Sequence, residues 1–225
     1  MKLQIPYETA EERGVFLELE VDDSNLAGSF IPQEQEELAD VPGAVMAAVE
    51  NPIGGKKLSE LLTNAKKVAI ITENQFRQAP IKKILPLLIK KIKDAGASIN
   101  IVIGCGKVPA LSQEEIVEKL GSEVVNCEGV EVFCNDVSQA DNYVFKGISR
   151  AGTPVWVHKK VAEADAIVTL STTQATLWGY GGSGMIIPAV ANNETIEINH
   201  IMSLAPDCVP GNNDCLMQLD KYEAA

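Results

Sequence analysis

The chain has 225 residues, enough to bury a sizeable core, and a composition of 46% hydrophobic and 22% charged residues that excludes intrinsic disorder. A formal net charge of −12 argues against nucleic acid or an anionic membrane surface as partner, since both demand basic patches. Five cysteines without C-x-x-C spacing fit neither a disulfide framework nor a zinc site, so reduced thiols in a cytoplasmic protein are expected.

The opening stretch Met1–Gly14 lacks the apolar segment of a secretory signal. Apolar runs such as Ile84–Ile89 fall far short of the roughly 20 residues that span a bilayer. Leu3–Pro6 and Val15–Val21 alternate apolar and polar residues, which predicts strands with one solvated face. From Asp22 to Gly55 the sequence is acidic and interrupted by Pro32, Pro42 and Pro52, with a short helix predicted at Val45–Glu50. Residues 1–65 therefore read as N-terminal strands and an acidic arm packed on a core formed by residues 66–225.

The periodicity changes at Lys66. Val68–Thr72 is a short continuous apolar run, the pattern of a strand buried on both faces. A polar loop, Glu73–Pro80, precedes helical apolar spacing over Ile81–Gly96, which ends on a glycine and carries Pro86 as a source of a kink. Ile99–Ile103 predicts a second buried strand, and Ser112 with Glu115 forms a capping box opening a helix at Gln113–Leu120. Further strands are predicted at Val130–Cys134, Tyr143–Gly147, Pro154–His158 and Ala166–Leu170, with a helix at Lys159–Ala164 before the last of them. His158, at a strand end, reads as a packed or surface residue and not as a ligand. The tail from Ala205 is less periodic, and Leu216–Ala225 predicts the start of a helix that stops without an end signal, so a longer parent chain is expected.

Strands alternating with helices imply an α/β fold, a mainly parallel sheet flanked by helices (Rossmann-like), with an N-terminal antiparallel strand arm. In such sheets ligands bind beyond the carboxyl ends of the strands. Three predicted loops leave those ends: Thr72–Pro80 with Arg77, Gly104–Pro109 with Lys107, and Ser171–Gly184 with Gly179, Gly181, Gly182 and Gly184. Two cations and a glycine loop suit a carboxylate or phosphate. The spacing Gly179-x-Gly181-x-x-Gly184 matches the dinucleotide fingerprint in form, but it follows no strand directly and lacks the later acidic residue, so a Rossmann nucleotide site is not expected. His200 lies in a predicted helix, facing either the site or the core. No Ser-His-Asp or Cys-His arrangement can be assembled, and one histidine without nearby cysteines makes no closed metal site.

Longer stretches carry a resemblance. Glu50–Gly54 (ENPIG), Glu73–Pro80 (ENQFRQAP), Gly104–Ile116 (GCGKVPALSQEEI), Leu120–Val125 (LGSEVV), Ser149–Val168 and Gly179–His200 (GYGGSGMIIPAVANNETIEINH) are similar in sequence and order to the N-terminal domain of the nickel-pincer lactate racemase family. Members of that family racemise or epimerise 2-hydroxy acids. The resemblance implies a pyridinium-3-thioamide-5-thiocarboxylic acid mononucleotide carrying nickel, which takes hydride from the substrate carbon and returns it to either face. It places His200 as the nickel ligand and Arg77 near cofactor and substrate. It places Glu73 and Asn74 where the family has aspartates, Gln174 and Trp178 beside the substrate, and Gly181, Gly182, Ser183 and Gly184 around the cofactor.

Three positions depart from the family pattern. Lys107 stands where a proton-transferring histidine is expected, followed by Val108 in place of an arginine. A second catalytic histidine falls near Ala175, between Gln174 and Thr176, and the lysine that carries the cofactor covalently falls at Gly184 and Met185. Lys107 is the catalytic residue left on one face, if its amine can be made neutral, and any nickel nucleotide would be held noncovalently. Two readings stay open: an isomerase of a 2-hydroxy acid, or a diverged domain that binds a small carboxylate or nucleotide without chemistry. A C-terminal domain, which closes the cleft in the family, and a homo-oligomer are compatible with either.

Overall fold

The computed structural model describes residues 1–7, 14–28, 30, 36–77, 79–181 and 184–225; Pro32, Gly182 and Ser183 lie outside them. The chain forms two compact units, residues 1–39 and residues 40–225. In the first, β1 (Lys2–Pro6) pairs antiparallel with β2 (Phe16–Glu20), with Leu3 opposite Leu19 and Ile5 opposite Leu17. The predicted alternation thus puts four apolar residues on one face of a ribbon. Every residue of β2 is exposed, so both faces of that strand are solvated and not one.

The second unit begins with α1 (Val41–Glu50) and α2 (Leu58–Leu61). Helix α1 starts four residues earlier than predicted because Pro42 falls in its first turn, where its missing N–H costs nothing, and Asp40 caps it by accepting from Gly43 N at 2.9 Å. Its apolar residues Val41, Val45, Met46 and Val49 pack on the core of this unit.

Four strands form the central sheet: β3 (Lys67–Glu73), β4 (Ser98–Gly104), β5 (Val130–Cys134) and β8 (Ala166–Leu170). The order is β5-β4-β3-β8 and every pairing is parallel. Side chains alternate across it. Val68, Ile70, Ile99, Ile101 and Ile103 face one core, whereas Ala69, Ile71 and Val102 face the other. The first core is closed by α3 (Ile81–Asp94), which carries Pro86 inside it and buries Ile81, Ile84, Leu85, Leu88, Ile89 and Ile92. Each such side chain contributes about 1.5–3 kcal/mol relative to exposure. Gly96, at φ +81, lets the chain leave α3 and turn into β4. The same side holds α4 (Gln113–Leu120), whose predicted capping box is present in both directions, and α5 (Ser122–Val125).

The other face differs from expectation. β6 (Tyr143–Ile148) and β7 (Pro154–His158) pair with each other, antiparallel, and stand outside the parallel sheet, with Val157 bridged to Ala191. Val155 and Val157 of this ribbon cover Ala69, Ile71 and Val102, together with Val161 of α6 (Lys159–Ala162) and the 185–190 turn. A short apolar run reads the same in a sheet strand as in a covering ribbon, so sequence pattern alone does not separate them. After β8 come two-residue strands β9 (Gln174–Ala175) and β10 (Tyr180–Gly181), then α7 (Asn193–Ile201) and α8 (Leu216–Ala224). Among the described residues no helix is long and apolar enough to cross a membrane.

His158 is a packed residue, only 1% exposed. Its ring meets Tyr143 edge-on and Phe133 at a tilt, and Nδ1 accepts the Lys160 backbone N–H at 3.3 Å. Burial, with Lys159 and Lys160 adding repulsion, pushes its pKa down to about 4. The unfolded chain therefore binds this proton at a higher pH than the native one, so stability is lost as pH falls from about 6.5 toward 4. That loss is expected to be about 3 kcal/mol. Denaturant unfolding of wild type and His158→Gln at a series of pH values checks this: the variant should lose the extra slope in that window, and equal slopes would contradict the assignment.

Candidate functional site

The carboxyl ends of β3, β4 and β8 open on two adjoining cavities. The first, of about 290 Å³, is lined by residues that include Glu73, Arg77, Lys107, Met185 and His200. The second, of about 400 Å³, includes Arg77, Trp178, Gly184, His200 and Lys221. Arg77, Met185, Pro188 and His200 line both.

The walls are built by close backbone contact. Gly104 ends β4 against Ala189: a Cβ there would lie 2.5 Å from the Ala189 methyl, so no larger residue fits without moving the turn. Gly106 N donates to Ala189 O at 3.0 Å. Asn135, fully buried, donates from Nδ2 to Gly106 O and Ala191 O at 3.2 and 3.1 Å and accepts from Tyr143 Oη at 3.1 Å. Burial, and behind it the Asp136 charge, push Tyr143 up to about 12, so its hydroxyl stays a donor. These bonds lock the 104–108 loop to the 184–191 segment.

Glu73 is 2% exposed. Its carboxylate accepts from Ala79 N at 2.7 Å, Thr172 N at 2.8 Å and Thr172 Oγ1 at 3.3 Å. It thereby ties the loop after β3 to the loop after β8 at the cavity floor. The β3 loop is held again by Lys119, whose Nζ donates to Asn74 O at 2.7 Å. Between these anchors Arg77 is half-buried, and among the described residues it has no carboxylate partner.

His200 lies near the end of α7, a helix fixed at both ends. Asn192 caps it by accepting from Thr195 N, and Thr195 Oγ1 donates to Pro154 O at 2.6 Å while accepting from Trp156 N at 3.0 Å. One residue before His200, Asn199 donates to Met217 O at 3.1 Å and Asp220 Oδ2 at 2.7 Å. Trp178 meets the His200 ring edge-on, with centroids 5.8 Å apart. Nδ1 of His200 is buried without a hydrogen-bond partner, while the residue lines both cavities. Burial first, and then the Lys221 charge, push its pKa below the usual histidine value; the Ile196 backbone one turn earlier opposes this, though it does not reach hydrogen-bond geometry. A neutral imidazole is the metal-binding form.

Lys107 is exposed, and Nζ lies 2.7 Å from Glu197 Oε1 on α7. The ion pair holds Glu197 below its ordinary pKa and tethers the β4 loop to the His200 helix. Gln174 sits in β9, paired with Gly181 of β10, and is not among the residues lining either cavity. Trp178, Gly181 and Gly184 line the second cavity. Gly182 and Ser183 lie outside the described residues. At Gly184, φ is +65 and a Cβ would collide with Ile187 O and lie 3.0 Å from Pro188 Cδ. A lysine at 184 is therefore excluded by the backbone as well as absent from the sequence.

The structure adds residues that sequence reasoning passed over. Asn135, Glu197 and the α8 residues Gln218, Lys221 and Tyr222 carry no local pattern that marks them. Among the described residues, no group of three His, Cys, Asp or Glu side chains is placed to hold a metal ion.

Comparison with known proteins agrees with this architecture. Residues 14–209 match the family model described as lactate racemase N-terminal domain. The chain is 29% identical over 195 residues to the lactate racemase of Lactiplantibacillus plantarum, covering 80% of this chain and 44% of that one. It is 31% identical over 178 residues to the lactate racemase of Thermoanaerobacterium thermosaccharolyticum, covering 77% of this chain and 40% of the relative. The solved lactate racemase apoprotein from the latter organism superposes over the whole of this chain and 53% of its own, with a TM-score of 0.84 at 25% identity. A Thermotoga maritima protein of 17% identity shares the fold, with a TM-score of 0.67 over 84% of this chain and 48% of its own. The chain thus spans about half of the length of the two lactate racemases.

Proposed function

The chain belongs to the lactate racemase N-terminal domain family, and on that premise we propose that its cleft serves a racemase or epimerase of a small 2-hydroxy acid, with a nickel-pincer nucleotide held on His200. The observation that carries this reading is that Arg77 and His200 line both cavities, one a cation with no carboxylate partner among the described residues and the other a histidine whose pKa burial lowers. Arg77 suits a substrate carboxylate, which its planar fork can grip with two bonds.

With no cluster of three ligating side chains among the described residues, a metal here must bring most of its own donors, as a pincer nucleotide does. The His200 imidazole would supply the protein's share. When bound, that group supplies an acceptor for the hydride on the substrate carbon. Trp178 covers an edge of the His200 ring, and Gly181, with nothing within 4 Å of where a Cβ would stand, leaves backbone open to a flat ligand. Because the backbone at Gly184 admits no lysine, retention is noncovalent. Lys107 is the side chain left to take the hydroxyl proton, a role that would need it to part from Glu197 and give up its own proton first. The five free thiols suit a cytoplasmic setting.

One observation favours the second reading, a domain that binds a small carboxylate without chemistry. Lys107 stands in solvent paired with Glu197, and neither position where the resemblance expects a proton-transferring histidine, Lys107 or the stretch around Ala175, carries one. The activity belongs to a protein of which this chain spans less than the relatives' full length, so the test is made on the chain co-expressed with the enzymes that make the nickel group. Incubated with single enantiomers of 2-hydroxy acids, it is expected to produce the opposite enantiomer, and the product should vanish with His200→Ala. Bound nickel with no turnover of any such acid would overturn the isomerase reading in favour of the binding domain.

A further inference from the structure

We infer that Lys221 is the second anion-binding residue of this cleft, and that the ligand it selects carries two acidic groups. Lys221 lies on α8 and lines the larger cavity together with Arg77, Trp178 and His200. It is only partly exposed, and among the described residues its ammonium has no hydrogen-bond or ion-pair partner. The neighbouring Asp220 attracts it at a distance but forms no ion pair with it. Asp220 is 2% exposed and its oxygens accept from Ser149 Oγ, Thr153 Oγ1 and Asn199 Nδ2.

That clasp has a geometric consequence. Ser149 and Thr153 bracket the turn between β6 and β7, and Asn199 precedes His200, so Asp220 fixes α8 against the elements that also seat the histidine. Residue 221 follows directly and is held in the cavity wall. The close passage of the C-terminal segment over Gly179, where a Cβ would lie 2.5 Å from Asn213 Oδ1, narrows the same wall. A partly desolvated cation without a counter-ion, held on rigid elements, is the arrangement an incoming anion completes. Arg77 already offers a first anion point on the sheet side. Two separate cations favour a ligand with two anionic groups over one with a single carboxylate. The second group has the chemistry of a carboxylate or a phosphate.

The inference rests on the proposed function only in treating the cleft as a carboxylate site, and its test needs no metal. Titration calorimetry on the metal-free chain compares lactate, a 2-hydroxy monocarboxylate, with malate, its dicarboxylate counterpart, and with inorganic phosphate. Malate is expected to bind about tenfold or more tightly than lactate, a difference of about 1.4 kcal/mol. Lys221→Gln should bring malate down to the affinity of lactate and leave lactate within about twofold, whereas Lys221→Arg should keep the discrimination. Phosphate that competes with malate in wild type and not in Lys221→Gln identifies the phosphate of a nucleotide as a source of the second anion. Phosphate that does not compete leaves the dicarboxylate as the source, and both results support the second anion point. Equal affinities for lactate and malate in wild type, or equal weakening of both by Lys221→Gln, would overturn it. Absence of nickel after co-expression, with malate discrimination intact, would remove the metal reading and leave Lys221 in its role.

Discussion

Asp220→Ala is expected to cost about 4 kcal/mol of stability, because truncating a buried, fully bonded carboxylate strands the donors around it. Ser149, Thr153 and Asn199 all donate to Asp220, and Asp220, Ser149, Thr153 and Asn199 are each 8% exposed or less. The methyl group that remains satisfies none of them, and water has little access. In a chain of this length a loss of that size lowers the melting temperature by about 10 °C. Leu219, next along α8 but 49% exposed, is the internal comparison. Leu219→Ala should move stability by about 0.5 kcal/mol or less. Thermal unfolding of both variants decides: a melting temperature for Asp220→Ala indistinguishable from that of Leu219→Ala would mean the clasp does not hold α8.

His200→Ala is expected to abolish nickel retention while leaving the fold in place. The variant removes the imidazole that lines both cavities but keeps the helix, whose ends are set by Thr195 and Asn199. The structural loss is the edge contact with Trp178, worth about 1 kcal/mol. Nothing nearby replaces the ligand, because among the described residues no cluster of metal-binding side chains exists. Metal analysis beside circular dichroism separates the two effects. Nickel that persists in a folded His200→Ala protein would contradict the assignment.

The parts of this fold that could be read in advance are those governed by local chemistry. β3 and β4 announce themselves as continuous apolar runs because both of their faces are buried, and α4 is fixed by the Ser112–Glu115 capping box. Arg77 and His200 are legible as site residues through the ordered stretches shared with a family, and topology brings them to one edge. What could not be read depends on contacts between distant segments. Whether Pro154–His158 joins the sheet or covers it is decided by packing of Val155 and Val157 against Ala69 and Val102, far away in sequence. The aspartate-like position of Glu73 suggests a ligand-facing group, but only the structure shows its oxygens bonded to Ala79 and Thr172. Lys221 sits in a tail without periodicity and reaches the cleft through bonds that its neighbour makes to residues about seventy positions earlier.

The central claim is that this cleft holds a nickel-pincer nucleotide on His200 without a covalent link, since Gly184 leaves no room for a lysine. The most direct test is native and denaturing mass spectrometry on the chain co-expressed with the enzymes that make that group. The account predicts a nickel-nucleotide adduct under native conditions, lost on denaturation and absent from His200→Ala. An unmodified mass under native conditions, or an adduct that survives denaturation, would contradict it.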